Sequence, residues 1–159
     1  MTYAEPGHPA LADPLLLDAI DALLVVAPAG ERTRIDMEAL ARASGVAVSS
    51  FLALPLAEAD IAAATRADGY VMLQAAPGPT GPRAALDPVN AARIGTLRAA
   101  GIAAPILLGF GISNGAQARA AMDLGADGVV VGSAVLRAAL QGHSVLALCL
   151  KDLRNALNG

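Results

Sequence analysis

Two stretches in the second half of the chain carry residue types suited to holding an anion. Leu108-Gly109-Phe110-Gly111-Ile112-Ser113 and Val131-Gly132-Ser133 each pass from an apolar segment into glycine and then into a helix start. A phosphate needs donors converging from several directions, and glycine lets backbone N–H groups approach it without a Cβ in the way. Gly111 and Ile112 can donate from one loop. Gly132 and Ser133 can donate from the next, with the Ser133 hydroxyl and the partial positive charge of the following helix start added. Either loop alone reads as readily as a tight turn. The pair, each followed by a helix, predicts an anion site. The sequence has no Gly-Lys-Ser/Thr phosphate loop, and no dinucleotide fingerprint opens its first strand–helix unit.

Candidates for proton chemistry are few. Glu31 lies just past the first strand, on the face where a ligand is expected, and is the one acid to watch. Asp36, Glu38, Glu58, Asp60 and Asp123 fall within helices, away from that face. Asp127 precedes a strand at its N-terminal end, where a structural role is expected. Gln74, near the end of a strand, is a candidate for touching a ligand, whereas Tyr70 at the start of the same strand packs in the sheet. His8 and His143 have no metal-ligand spacing, and no serine has a paired base. Cys149, the only cysteine, reads as a small buried hydrophobe. Neither a metal nor a cofactor is expected.

The elements that must position these residues repeat. Apolar runs at Leu23–Ala27, within Val46–Leu54, and at Gly69–Gln74, Pro105–Phe110 and Asp127–Gly132 read as strands buried on both faces. Helices are predicted over Ile35–Ala43, from Glu58 to Arg66, and from an Asp87 N-cap to Ala100. A fourth, capped by Ser113 or Asn114, ends before Gly125, and a helical region opens at Ser133 with a break near Gly142. Most strand-to-strand intervals are about two dozen residues, the size of a minimal β/α repeat. The fold class is therefore α/β, a parallel β/α barrel of the TIM type, incomplete at about five β/α units. Residues 1–14, with Pro6, Pro9 and Pro14 and no periodicity, are expected as a flexible leader, and residues 15–159 as the partial barrel domain. Eight strands are needed to match tilt and shear in a closed barrel. Leu23–Ala27 and Val129–Val131 are thus expected as apolar edges that another chain covers.

The 159 residues suit one domain, and the net charge is -3. No Lys/Arg block with interleaved aromatics suggests nucleic acid, and no apolar run approaches the roughly 20 residues of a membrane span. The N-terminus lacks a signal-peptide pattern, so a cytoplasmic location is expected.

Pro105-Ile106-Leu107-Leu108-Gly109-Phe110-Gly111-Ile112-Ser113, followed by Gly125-Ala126-Asp127-Gly128-Val129-Val130-Val131-Gly132-Ser133-Ala134, resembles the tryptophan synthase alpha chain family. Many phosphate-binding barrels share the second segment; the Gly-Phe-Gly-Ile-Ser form points to this family. Gly69 to Gly81 is similar in spacing to the family's sixth strand and mobile loop. The resemblance is read from Leu15 to the C-terminus, as the C-terminal part of the barrel, about strands four to eight. It implies aldol cleavage of indole-3-glycerol phosphate to indole and glyceraldehyde 3-phosphate. It further implies a phosphate lined by Gly109, Gly111, Gly132 and Ser133, a lid containing Gly78 and Thr80, and the tryptophan synthase beta chain as partner. Departures accompany it. Ala75-Ala76-Pro77-Gly78 stands where the family has Ser-Arg-Thr-Gly, and Ala27-Pro28-Ala29-Gly30 where it has Pro-Asp-Leu-Pro. The family's catalytic glutamate and aspartate belong to units with no counterpart in this stretch. Impaired catalysis is therefore the expectation, with a non-catalytic phosphate-binding or subunit-interaction module as the alternative.

Overall fold

Short apolar runs punctuated by glycine, proline and aspartate fold into alternating strands and helices. The computed structural model describes residues 2–4, 19–27, 29–76 and 85–158. Its elements are β1 (Thr2–Ala4), β2 (Ala22–Val25), α1 (Arg32–Ala43), β3 (Ala47–Leu52), α2 (Glu58–Ala64), β4 (Val71–Gln74), α3 (Val89–Ala99), β5 (Ile106–Gly109), α4 (Gly115–Asp123), β6 (Gly128–Val130), α5 (Ser133–Leu140) and α6 (His143–Asn158).

The six strands stand in sequence order in one sheet, β1-β2-β3-β4-β5-β6. β1 pairs parallel with β2, β2 with β3, and β5 with β6. Sequential order with a helix after each of β2 to β6 gives five β/α units, the winding of a TIM-type barrel. The described strands are fewer than the eight of a closed one.

Two compact units divide the chain. Met1–Met72 with Leu97–Pro105 form the first. Its core gathers Leu23, Val25, Met37, Ala41, Val46 and Val48, with Ile20 and Ala27 packed against it. Leu23, Leu24 and Val25 are all buried, so β2 is covered on both faces, as a parallel strand flanked by helices must be. Leu73–Thr96 with Ile106–Gly159 form the second. There Leu73, Ile94, Ile106, Leu108, Ala118, Ala121 and Leu153 are buried, and α6 packs on both α4 and α5.

Local signals set the element ends. Asp87 Oδ1 accepts from Val89 N–H at 3.0 Å before α3, and Asn114 Oδ1 accepts from Gln117 N–H at 2.9 Å at the start of α4. Gly45 and Gly125, at φ 75° and 94°, end α1 and α4 in the left-handed region that a side chain disfavours. Asp127 accepts from Ile106 N–H at 2.7 Å, and Asp68 accepts from Val48 N–H at 2.6 Å. Each aspartate precedes a strand and ties down the start of the one before it, the structural role expected for Asp127.

Two expectations need correction. The Leu23–Ala27 segment is not an edge, because β1 lies within the expected leader and pairs with β2. The remainder of that leader, residues 5–18, lies outside the described residues. Helix α1 begins at Arg32 rather than Ile35, because Arg34 faces inward and extends the buried stripe Arg34, Met37, Ala41 by one turn.

Candidate phosphate site at the ends of β5 and β6

The register sets Gly109 beside Val130, so the chain leaves β5 and β6 side by side at the same end of the sheet. In parallel β/α folds this end carries the ligand. Past β5 the backbone turns through Phe110 at φ 71° and Gly111 at φ 97°. A bulky residue in the left-handed region costs of order 1–3 kcal/mol, and such conformations cluster at ligand sites. Phe110, between two glycines, carries no strain signal of its own in the sequence, which names only its neighbours.

The two helix starts that follow differ in their free donors. At α4, Gly115 N–H donates to Asp152 Oδ2 at 2.6 Å and Gln117 N–H donates to Asn114. Ser113 donates through both N–H and Oγ to Gln117 Oε1, at 2.8 and 2.9 Å. At α5 the N-cap is Gly132, which has no side chain to cap with. Among the described residues, the N–H groups of Ser133, Ala134 and Val135 and the Ser133 hydroxyl have no partner; neither do the N–H groups of Gly111 and Ile112. The first hydrogen bond of the helix, Leu136 N–H to Gly132 O at 2.9 Å, leaves those donors ahead of it.

Gly132 itself is required by neither backbone nor packing. Its φ is -102°, and a Cβ there would meet nothing within 4 Å. The space beside it is open.

Gln74 is buried at the end of β4. The next residue, Ala75, is held on both sides. Its N–H donates to Gly109 O at 2.8 Å, and its carbonyl accepts from Asn90 Nδ2 at 2.9 Å. Asn90 is wholly buried and accepts in turn from Arg93. The sequence reading missed Asn90. Its signal was a polar residue one helical turn before Ile94, on the apolar stripe of α3. Gly78 and Thr80 lie outside the described residues.

In the first unit a charged cluster lies past the ends of β2 and β3. Arg34, 3% exposed, donates to Glu38 at 2.7 Å and to Ala27 O at 2.9 Å, and lies 3.6 Å from Asp60. Asp60 Oδ1 accepts from Ala29 N–H at 2.8 Å. Asp60 was expected away from the ligand face. It sits instead in the first turn of α2, which starts where β3 ends, and it lines a cavity of about 190 Å³ with Val26, Ala27, Phe51 and Ala53. Glu31 is where it was expected, at the α1 N-cap, but is exposed and makes no capping bond. A depression of about 410 Å³ lined by Arg42, Gly45, Val46, Ala47 and Asp68 opens at the start of β3.

These features define a TIM-type parallel β/α protein whose open glycine loops follow adjacent strands. The tryptophan synthase alpha chain family model matches residues 5–155, and the chain belongs to that family. The match begins ahead of Leu15 and covers nearly the whole chain, so the restriction of the resemblance to a C-terminal part, strands four to eight, does not hold.

The chain is 35% identical over 165 residues to the tryptophan synthase alpha chain of Synechococcus elongatus, covering 99% of this chain and 60% of that one. It is 44% identical over 75 residues to that of Natronomonas pharaonis, covering 47% of this chain and 26% of that one. The chain thus spans less than two thirds of the length of these relatives. Among solved structures, a protein from Aquifex aeolicus has a TM-score of 0.76 at 22% identity, over 99% of this chain and 60% of that chain. Tryptophan synthase subunit alpha from Campylobacter jejuni has a TM-score of 0.72 at 20% identity, over 88% and 58%. Both likenesses show the fold. No helix among the described residues is long and apolar enough to cross a membrane.

Proposed function

We propose that this chain grips the phosphate of indole-3-glycerol phosphate between the Gly109–Ile112 loop and the Gly132–Ser133 start of α5. The reaction class is that of its family, aldol cleavage to indole and glyceraldehyde 3-phosphate. The observation that carries this reading is the free donor set at Ser133, Ala134, Gly111 and Ile112, converging from adjacent loops beside a glycine that the fold does not need. A dianion there is stabilised by backbone N–H groups and by the α5 dipole without a buried cationic side chain. Gln74 touches the ligand from the end of β4, and Gly78 and Thr80 are the substrate-loop residues that the family resemblance implies.

Turnover by this polypeptide is impaired. Among the described residues, neither glycine loop carries a carboxylate, and Asp60 is already engaged by Ala29 N–H and Arg34. By the resemblance, Pro28 stands where the family has aspartate. General acid–base work on the indole and on the glycerol hydroxyl needs a group within hydrogen-bond reach of each.

The partner is a tryptophan synthase beta chain or a second copy of this chain. Half-buried β6 and exposed Leu136 and Leu140 on α5 support such a cover. The location is cytoplasmic. Calorimetric titration with indole-3-glycerol phosphate, followed by an assay for released indole, tests the proposal. Saturable binding with little or no indole formed is expected. No binding heat at several temperatures, on folded protein, refutes the grip, and rapid indole release refutes the impairment.

A further inference from the structure

Independently of the anion site, we infer that the cavity past the ends of β2 and β3 binds a small apolar amine, held as its ammonium ion by Asp60. The cavity lies within the first unit and has a volume of about 190 Å³. Val26, Ala27, Phe51 and Ala53 give it apolar walls. Among the described residues that line it, Asp60 is the one charged group. An apolar space of about 150 Å³ already accepts benzene. This cavity therefore has room for one ring and a short arm bearing a polar group. In a site of apolar walls and few polar groups, those groups set how the ligand is oriented.

Charge decides what the ligand must bring. Asp60 Oδ1 accepts from Ala29 N–H at 2.8 Å and lies 3.6 Å from Arg34. Asp60 Oδ2 makes no hydrogen bond among the described residues. Arg34 is shared in turn. It donates to Glu38 at 2.7 Å, to the Ala27 carbonyl at 2.9 Å and to Ser50 Oγ at 3.4 Å. One cation thus serves two carboxylates, and the cluster keeps a net negative charge beside apolar walls. An ammonium ion supplies the missing charge together with three donors, one of them for Oδ2. A neutral ring nitrogen brings a donor without the charge, and an anion brings a charge of the wrong sign. Phe51 adds an aromatic wall, which attracts both an apolar ring and a cation. The Arg34 and Asp60 contacts already hold Ala27 and Ala29, so little backbone ordering is left to oppose binding.

The experiment is a site-resolved amide NMR titration with benzylamine, and with benzyl alcohol and indole as neutral probes. In the wild type, benzylamine shifts the Ala29, Phe51 and Ala53 amides saturably. It binds about tenfold more tightly than either neutral probe, the gap narrowing in salt. Asp60→Asn keeps an acceptor for Ala29 N–H and loses only the charge. There benzylamine binding falls to the level of benzyl alcohol, and the alcohol itself binds as before. Ala53→Leu fills the cavity and removes binding of all three probes. Equal binding of benzylamine and benzyl alcohol by the wild type overturns the inference, as does silence at these amides with every probe. Tighter binding of indole than of benzylamine also overturns it and makes the cavity a site for a neutral ring. So does an Asp60→Asn protein that still prefers the amine. If that variant does not fold, Ala53→Leu decides, because benzylamine binding retained there places the amine outside the cavity.

Discussion

Asn90, which has no exposed surface, donates its side-chain N–H to the Ala75 carbonyl at 2.9 Å. Ala75 N–H reaches the Gly109 carbonyl at 2.8 Å. One short chain of bonds thus links the first turns of α3, the end of β4 and the last residue of β5, where the proposed phosphate loop begins. Replacing Asn90 by Ala leaves the Ala75 carbonyl buried and unsatisfied. The expected loss is about 1–3 kcal/mol in urea unfolding, with weaker binding of glycerol 3-phosphate because Gly109 is no longer held from behind. Unaltered stability would mean that the bond contributes nothing.

The Arg34 cluster predicts a different pattern. Arg34→Met keeps the buried stem but leaves Glu38 and Asp60 without their cation. Because both carboxylates are partly solvated, a loss of about 2 kcal/mol is expected rather than the larger cost of a fully buried orphan charge. Adding Asp60→Asn should restore part of that loss in denaturant melts. Strictly additive effects would show that the two side chains do not interact.

Gly115→Ala drives a methyl group into both the Asp152 carboxylate and its carbonyl. Overpacking of this kind costs about 1–3 kcal/mol. Asp152→Ala in the same background should recover only a fraction, since the carbonyl remains. Complete recovery in thermal melts would place all of the clash on the carboxylate.

Leu136 and Leu140 are 63% and 80% exposed on α5, beside half-buried β6. Sedimentation equilibrium at micromolar concentration should find the chain associated, and Leu136→Glu with Leu140→Glu should shift it toward monomer. A stable wild-type monomer contradicts a second copy as the cover and leaves only the beta chain in that role.

Much of this was legible in the sequence because the signals are local. Gly45, Gly101 and Gly125 end helices, Asp87 and Asn114 cap them, and continuous apolar runs such as Leu23-Leu24-Val25 announce strands buried on both faces. The pairing of the two glycine loops followed from their position after adjacent strands. What remained hidden depends on distant partners. Asp152 and Gly115 are far apart in the chain, and nothing in either residue's neighbourhood announces their contact. Asp60 was misplaced because its helix was considered without its direction: after a parallel strand, the first helical turn sits at the ligand end. Arg34 and Asn90 are polar residues on apolar stripes, a pattern that marks burial with partners only once the neighbouring strand ends are known. The short β1 lacks the apolar run that reveals the other strands, and its pairing with β2 makes it visible.

The central claim is the phosphate grip at Gly132–Ser133, and Gly132 gives its most direct test. Calorimetric titration of indole-3-glycerol phosphate should compare Gly132→Ala with Gly132→Asp. Position 132 has room for a Cβ at an ordinary φ, so both variants should fold with melting temperatures close to the wild type. The grip predicts weakened but measurable binding for the alanine variant, whose methyl group faces the ligand, and none for aspartate, whose charge stands where the phosphate must sit. Equal binding by both variants and the wild type would contradict it and return the two glycine loops to the role of turns.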